Sequence, residues 1–236
     1  WTGDGVLPSN QVCSVPVIVN VTDDNYDGLI DQFDTPDIIF VSYVDSRSPG
    51  ILRAISGDDG HLLWNGINSQ LGIVSTNFTS NTAAGDIDHD GLVEIIVQNY
   101  GNGLLCFEHN GTLKWQSDQP SGRYTGSSGS PILADINHDG EVEIIYGNTV
   151  LDAHGNVLWQ GSNDRIIGKS NLGPISCVAD LDRLEVQGVP VGMEVIAGSI
   201  AYYSDGRVYW DQSAVYGDGF CGIGNFDDDD DPEVVL

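Results

Sequence analysis

Short apolar runs alternate with polar, glycine-rich turns along the whole chain, and this pattern predicts β-strands. Runs such as Glu94-Ile-Ile-Val and Glu143-Ile-Ile-Tyr are rich in β-branched and aromatic side chains and are bounded by Gly, Asn and Asp. No apolar period of about 3.6 residues persists for ten residues, so we expect little helix. The chain is therefore predicted to be all-β.

One motif recurs at regular intervals, in which a turn ending in glycine is followed by three residues and then tryptophan. Asp-Gly and Asn-Gly dipeptides in these turns favour tight hairpins, because both residue types tolerate positive φ. Trp1 lies ahead of an acidic loop, where the tryptophan that ends a repeat would lie. The Trp-to-Trp spacings run from 44 to 63 residues. The four copies close at Trp64, Trp115, Trp159 and Trp210.

Each repeat is predicted to contain four short antiparallel strands, A to D, with an acidic loop between A and B and the Trp motif in D. Such units recurring at this period indicate the blades of a β-propeller. We expect a processed or partial chain with about four full blades, plus partial ones, from a seven-bladed ring. A closed ring of five blades is the alternative. The predicted units are 2–64, 65–115, 116–159, 160–210 and, incomplete, 211–236.

The loops between strands A and B carry the candidate metal ligands. Acidic or amide side chains at alternate positions of a tight turn supply the oxygens that Ca²⁺ prefers, and the carbonyl of the seventh position adds another. Glycine at the sixth position permits the sharp turn. The predicted calcium ligands, in four loops, are Asp23, Asn25, Asp27, Leu29 and Asp31; Asp86, Asp88, Asp90, Leu92 and Glu94; Asp135, Asn137, Asp139, Glu141 and Glu143; and Asn225, Asp227, Asp229, Asp231 and Glu233.

These loops begin as an EF-hand loop does, but strands flank them and the acid stands at position nine. The first is lengthened, so that Asp34 competes with Asp31 as a ligand. The copy at Asp180 and Asp182 lacks the fifth-position acid and the glycine, and it contains Arg183; we expect its site to be empty or weak. It is the fourth loop in chain order, and the one at Asn225 is the fifth.

The charge balance restricts the partners. Eight Lys and Arg residues stand against 35 Asp and Glu, for a formal net charge of −27. A field of this sign repels nucleic acid and anionic membranes and attracts cations. No apolar run approaches the 18 residues or so of a membrane span. We therefore expect no nucleic-acid partner and no membrane span.

The acidic loops, joined to a Glu-Ile-Ile strand and a Gly-x-x-x-Trp hairpin, resemble the FG-GAP/VCBS repeats of integrin α-subunit heads and of secreted microbial proteins. The stretches Ala134-Asp135-Ile-Asn-His-Asp139-Gly140 and Gly224-Asn225-Phe-Asp227 carry the resemblance most specifically. It implies a calcium-stabilised extracellular propeller, commonly seven-bladed, that serves adhesion or recognition. It does not specify the ligand, because such propellers serve many tasks.

Blade topology separates two faces, with the calcium loops on one and the long B–C and D–A connections on the other. Loops on a rigid scaffold often carry binding residues, so we predict a protein or glycan ligand, or a neighbouring subunit of a surface assembly, at the second face. The candidates there are Tyr43, Arg47, Arg123, Tyr124 and Arg165. We expect no enzymatic activity; a secreted polysaccharide lyase or hydrolase is the alternative.

Four cysteines are too few and too scattered for a disulfide scaffold, and none forms a CxxC pair. We expect them to be small, buried apolar side chains. A bridge between Cys177 and Cys221, in equivalent strands of consecutive units, is the alternative.

Overall fold

A computed structural model describes residues 9–46, 48–117, 128–161, 172–186, 189–217, 219–228 and 231–236. Strands and turns make up these residues, with no helix among them, which confirms the all-β prediction. No segment of the described chain is a helix long and apolar enough to cross a membrane. The chain divides into two compact units, Trp1–Ser128 and Gly129–Leu236, which are described separately.

The first unit contains two sheets. Sheet I consists of β1 to β5 and sheet II of β8 to β11, each antiparallel. A small hairpin, β6 with β7, follows sheet I. The strands are β1 (Gln11–Val12), β2 (Val17–Val19), β3 (Asp37–Tyr43), β4 (Ile51–Ile55), β5 (Leu62–Asn65), β6 (Ile67–Asn68), β7 (Gly72–Ile73), β8 (Ala83–Gly85), β9 (Glu94–Gln98), β10 (Leu104–Phe107) and β11 (Leu113–Gln116).

The second unit repeats the plan. Sheet III is β13 to β16 in sequence order, and sheet IV is β18, β21, β22 and β23. Strands β24 and β25 pair, as do β19 with β20 and β12 with β17. The strands are β12 (Ser128–Ser130), β13 (Ile132–Ala134), β14 (Glu143–Tyr146), β15 (Thr149–Leu151), β16 (Val157–Gln160), β17 (Leu172–Ile175), β18 (Cys177–Ala179), β19 (Glu185–Val186), β20 (Val189–Pro190), β21 (Glu194–Ala197), β22 (Ile200–Tyr202), β23 (Val208–Asp211), β24 (Gly222–Gly224) and β25 (Glu233–Val235).

The middle strands of each sheet form the core. The strands β9 and β10 are buried at every position, as are β14 and β15. Such strands have neighbours on both faces, which is why they are continuous apolar runs without alternation. In the first unit the core includes Ile39, Leu52, Val97 and Phe107, and partly buried Trp64 packs against it.

Two motif tryptophans, Trp64 and Trp159, contact the hairpin turn of the next sheet within the same unit. A Cβ added to Gly111 would lie 2.6 Å from the Trp64 ring, and one added to Gly206 would lie 2.8 Å from the Trp159 ring. The Trp159 indole N–H also donates to the Ser204 carbonyl at 2.8 Å. Glycine in the turn and tryptophan in the strand therefore recur together because one makes room for the other.

The four cysteines are free thiols. Cys106 is buried as expected, whereas Cys13 is exposed, so the prediction of burial was wrong for that residue. Cys177 and Cys221 are half-buried neighbours, and the Cys177 thiol contacts the Cys221 carbonyl oxygen at 2.9 Å. The alternative of a bridge between them is not realised in this structure.

Candidate metal centres

The acidic loops are tight turns in which the first carboxylate accepts backbone N–H groups. In the third loop, Asp135 accepts the N–H of Asp139 at 3.1 Å and that of Gly140 at 3.0 Å. Asp23 accepts the two corresponding bonds in the first loop, at 3.2 and 2.9 Å. These bonds hold the first, third and fifth side chains on one short arc, as an oxygen-coordinated cation requires.

A left-handed residue at the fourth position is shared by the first four loops. Residues other than glycine rarely adopt positive φ, so its recurrence at one position shows that the four turns share a left-handed residue at this point of the backbone. The fourth loop shares it despite its altered sequence. The φ angles are 62° at Tyr26, 61° at His89, 59° at His138 and 50° at Arg183.

A glutamate at the start of strand B is hydrogen-bonded to the loop in four of the five repeats. Its carboxylate accepts the N–H of the loop's second residue, and the side chain is largely withdrawn from water in three of them. Burial raises the pKa of Glu94, Glu143 and Glu194. The bonds are 3.1 Å from Ile87 to Glu94, 2.9 Å from Ile136 to Glu143, 2.7 Å from Leu181 to Glu194 and 2.6 Å from Phe226 to Glu233.

The second loop brings three carboxylates together. Oxygens of Asp86, Asp88 and Glu94 lie within 4.8 Å of one another. The Lys114 ammonium contacts this cluster, at 2.6 Å from Asp88 and 2.9 Å from Glu94, with Glu108 at 3.4 Å. The hydrogen bond from Lys114 lowers the pKa of Asp88. Burial alone would lower the pKa of Lys114, but its bonds to Asp88 and Glu94 raise it overall.

A β-bulge directs Lys114 toward the loop. In the β10–β11 ladder, Cys106 pairs with Trp115 and Phe107 with Leu113, so Lys114 has no partner in the register. Bulges re-aim side chains in this way. The ladders of sheets I, III and IV have the same irregularity, which leaves Leu63, Leu158 and Tyr209 at the corresponding position. Of these four described sheets, sheet II alone places a cation there.

The fourth loop also brings three carboxylates together, although its sequence departs from the pattern. Oxygens of Asp180, Asp182 and Glu194 lie within 4.8 Å of one another. Glu194 reaches the loop because β18 pairs with β21 in the usual register, with Ala179 opposite Glu194. The hairpin β19–β20 takes up the extra residues between them. The spacing along the chain did not predict that Glu194 joins Asp180 and Asp182. The Glu-Val-Ile sequence at the start of strand B was the signal that could have indicated it.

Among the described residues, the second and fourth loops are the ones in which oxygens of three acidic side chains lie within 4.8 Å of one another. In the third loop Asn137 donates to Glu143 at 3.1 Å, and the Glu141 N–H donates to Asp139 at 2.9 Å. In the first and second loops the backbone N–H of the seventh residue donates in the same way, from Leu29 to Asp27 and from Leu92 to Asp90.

The fifth loop is described only in part. Asn225, Asp227, Asp231 and Glu233 are described, and predicted ligand Asp229 lies outside the described residues. Arg183 of the fourth loop lies 3.5 Å from Asp231. The ligand set of the fifth loop therefore stays a prediction.

The first loop contains a buried acid beyond the predicted ligands. Asp34 is 6 % exposed and accepts the N–H groups of Asp31 at 2.8 Å, Asp24 at 2.9 Å and Asn25 at 3.2 Å. These bonds, with that of Asp31 foremost, lower the pKa of Asp34. The predicted competition between Asp34 and Asp31 for the role of ligand stays a prediction. The three backbone N–H groups hold the Asp34 carboxylate the more firmly of the two.

Most candidate ligand-binding residues lie outside the described residues: Arg47, Arg123, Tyr124 and Arg165. Tyr43 is described at the end of β3. It is half-buried and its ring packs 4.7 Å from that of Phe78. Burial raises the pKa of Tyr43.

Two of the cavities formed by described residues lie in the second unit. One of about 290 Å³ opens beside the fourth loop and is lined by Asp182, Glu194, Tyr203 and Arg207, among others. The other, of about 410 Å³, includes Trp210 and belongs to the same unit. The loops that the structure describes thus offer oxygen donors suited to a hard cation, and one of them borders a cavity.

Residues 86–146, which hold the second and third loops, match the family described as FG-GAP-like repeat. No curated protein sequence matches the chain. The V. cholerae biofilm matrix protein Bap1 is similar in structure, with a TM-score of 0.81 and 32% identity over 99% of this chain. The chain spans 36% of that protein's length.

Two polysaccharide lyases are more distant. Rhamnogalacturonan lyase YesW has a TM-score of 0.49 and 18% identity, over 84% of this chain and 30% of that one. The rhamnogalacturonan lyase PL11 of Bacillus licheniformis has a TM-score of 0.49 and 16% identity, over 83% of this chain and 30% of that one. The chain is thus similar to FG-GAP-like repeats in its second and third loops, and to a biofilm matrix protein over nearly its whole length.

Proposed function

We propose that this chain is a calcium-binding β-propeller segment of an extracellular protein, and that it recognises a protein or glycan partner without catalysis. The observation that carries the proposal is the similarity to a biofilm matrix protein at 32% identity over 99% of the chain. By its name, that protein belongs to a matrix outside cells. Adhesion within such a matrix requires binding surfaces and stability outside the cell.

In the proposed propeller, sheets I to IV are successive blades and the β24–β25 pair begins another. The units 2–64, 65–115, 116–159, 160–210 and 211–236 then form one domain, part of a seven-bladed ring. The contacts of Trp64 and Trp159 with the next hairpin turn support this order within each unit, because propeller blades pack on their neighbours.

Calcium is the proposed cofactor because the loops offer carboxylate, amide and carbonyl oxygens, which a hard cation prefers. The net charge of −27 adds a long-range attraction for cations. All the loop ligands predicted from the sequence are retained in this proposal, and Asp34 is added for the first loop and Asp180, Asp182 and Glu194 for the fourth.

Chelation tests the calcium sites. A ligand that binds only the folded state stabilises it by about 1.4 kcal/mol per site at ten times its Kd. We expect EGTA to lower the melting temperature and added calcium to restore it, in a titration followed by circular dichroism. An unchanged melting temperature together with no bound calcium in dialysis would overturn the proposal.

The partner is tested by binding to extracellular polysaccharides and matrix proteins in calcium and in EGTA. We expect saturable binding without release of unsaturated sugar products. Release of such products from an acidic polysaccharide would instead support the lyase alternative. Self-assembly of the chain without binding to any of these partners would support a structural subunit of a surface layer.

A further inference from the structure

The first loop differs from the others in its strand register. Asp37 pairs with Val19 at the start of sheet I, just as Glu94 pairs with Gly85 in sheet II. The residue after Val19 is Asn20. By register, therefore, Asn20 and not Asp23 takes the place that Asp86 has in the second loop.

Hydrogen bonds support this register. The N–H of Val21 donates to Asp37 at 3.1 Å, as the N–H of Ile87 donates to Glu94 at 3.1 Å. Val21 is 3% exposed and Ile87 0%, so the same buried apolar position recurs. The first repeat therefore has the usual strand-end arrangement, beginning at Asn20.

Residues 23–34 form an additional loop. Its acids and amide stand at positions one, three, five, nine and twelve, with Gly28 at position six, which is the spacing of a twelve-residue calcium loop except for Asp in place of Glu at the end. Asp34 stands at position twelve and is buried against the loop backbone. Asp24 lies within this segment but not at one of these positions, and Asn20 and Asp37 lie outside the segment.

Three buried oxygens at the base of this loop have no hydrogen-bond partner. They are Asn20 Oδ1, Asp24 Oδ2 and Asp37 Oδ1. Asp37 is 0% exposed, and a buried oxygen without a partner is destabilising, the more so when it is charged. The corresponding oxygen of the second loop, Asp86 Oδ1, also has no partner.

Thr22 lies between two of these carboxylates. Its hydroxyl is 2.8 Å from Asp37 Oδ2 and 3.5 Å from Asp24 Oδ1. A hydroxyl has one hydrogen and can satisfy only one of them. The Asp24 carboxylate is also close enough to Asp37 and Asp34 for their negative charges to repel it. A divalent cation would satisfy the remaining oxygens and remove the repulsion.

We propose that Asn20, Asp24 and Asp37, with Thr22, hold a calcium ion separate from the ion of the loop at residues 23–34, so that the first repeat binds two. The inference rests on the proposed function, since it presumes that the acidic loops bind calcium. It places the usual repeat site at Asn20 and Asp37, and makes the Asp23 loop a second, inserted site.

Calcium stoichiometry tests the inference. Equilibrium dialysis with radioactive calcium, at about 0.1 mM free ion, would compare the full chain with Asp24→Asn, Asn20→Ala and Asp27→Asn. We expect each variant to lose one ion. Combining Asp24→Asn with Asn20→Ala should still lose one, whereas combining Asp24→Asn with Asp27→Asn should lose two.

The outcomes separate the two proposals. Loss of a single ion by the Asp24→Asn, Asp27→Asn double variant, or no loss by Asp24→Asn, would overturn the second site and leave the proposed function standing. Absence of bound calcium from the unmodified chain would overturn the proposed function itself. Urea unfolding of each variant in EGTA identifies any that fails to fold, and Asn20→Ala then tests the site without altering a carboxylate.

Discussion

At the residue scale, Lys114 acts as an internal cation for the second loop. Its ammonium lies against Asp88 and fully buried Glu94, so Lys114→Met would leave the buried carboxylate without a counter-charge. Fully buried pairs cost 3–5 kcal/mol to break; because Lys114 is 20% exposed, we expect about 2 kcal/mol in EGTA. Urea unfolding measures this cost.

Calcium should reduce the cost of Lys114→Met, because the ion can replace the ammonium beside Asp86, Asp88 and Glu94. We expect tighter calcium binding at one site in this variant. Arg207→Met is the matched control, since Arg207 forms an exposed pair with Asp205 and such pairs contribute little. An equal loss of stability with and without calcium would show that the lysine does not compete with the ion.

Glu143 offers a pH test in calcium-free protein. Burial raises its folded-state pKa, so the folded protein binds protons more readily than the unfolded chain. Stability contributed by this group therefore increases as the pH falls through the folded-state pKa. Glu143→Gln removes the buried charge, so its stability advantage over the unmodified chain should shrink from pH 7 towards the unfolded pKa of about 4.3.

Exposed Glu141→Gln in the same loop is the control for Glu143→Gln. Thermal melts in EGTA across this pH range measure both variants. A constant difference between Glu143→Gln and the unmodified chain would contradict the linkage argument.

At the element scale, the Gly-x-x-x-Trp motif predicts a difference between two glycines. Gly111 and Gly60 have nearly equal φ angles, 80° and 77°, so alanine costs each about 1 kcal/mol of backbone strain. A Cβ on Gly111 would also lie 2.6 Å from the Trp64 ring, whereas one on Gly60 would meet nothing within 4 Å. Overpacking should add about 1–3 kcal/mol at Gly111.

Urea unfolding of Gly111→Ala and Gly60→Ala in calcium measures that difference. Since the two substitutions share the backbone strain, the surplus at Gly111 reports the contact between one hairpin turn and the preceding tryptophan. Equal losses in the two variants would show that Trp64 moves aside without cost.

The sequence predicted the strands well, because strand B and its acidic start are local signals. The run Glu143-Ile-Ile-Tyr was predicted with the bounds that the strand has, and the run Glu94-Ile-Ile-Val is strand β9 without Gln98. The hairpins β6–β7 and β19–β20 were not predicted, since strands of two residues carry no period. The bulge before each tryptophan was also missed, because it depends on pairing between strands and not on either strand alone.

Loop positions were predictable only where loop length is constant. The third loop and the Glu143 strand have the standard spacing, and Asp135 and Glu143 accept the backbone N–H groups that correspond to those that Asp86 and Glu94 accept in the second loop. The first loop has an insertion, so alignment by its Asp-x-Asn-x-Asp-Gly motif conflicts with the strand register through Val19 and Asp37. The fourth loop has another insertion, and pairing of β18 with β21 restores Glu194 to the site.

At the scale of the whole molecule, the net charge of −27 should make the calcium-free protein sensitive to salt. Carboxylates crowd the loops, as Asp24, Asp34 and Asp37 do, and their mutual repulsion opposes the compact state. Salt at about 0.1 M reduces the Debye length to about 10 Å. In EGTA, we therefore expect sodium chloride to raise the melting temperature as its concentration increases from about 0.02 to 0.5 M.

Saturating calcium should flatten this dependence, because bound ions neutralise the loops before sodium screens them. The comparison distinguishes specific sites from a diffuse ion atmosphere: at equal ionic strength, a diffuse atmosphere of magnesium would stabilise the chain as much as calcium does. Coordinated sites should favour calcium, since magnesium dehydrates reluctantly and demands octahedral geometry. A chain that gains the same melting temperature from either ion would have acidic loops that attract cations without coordinating them.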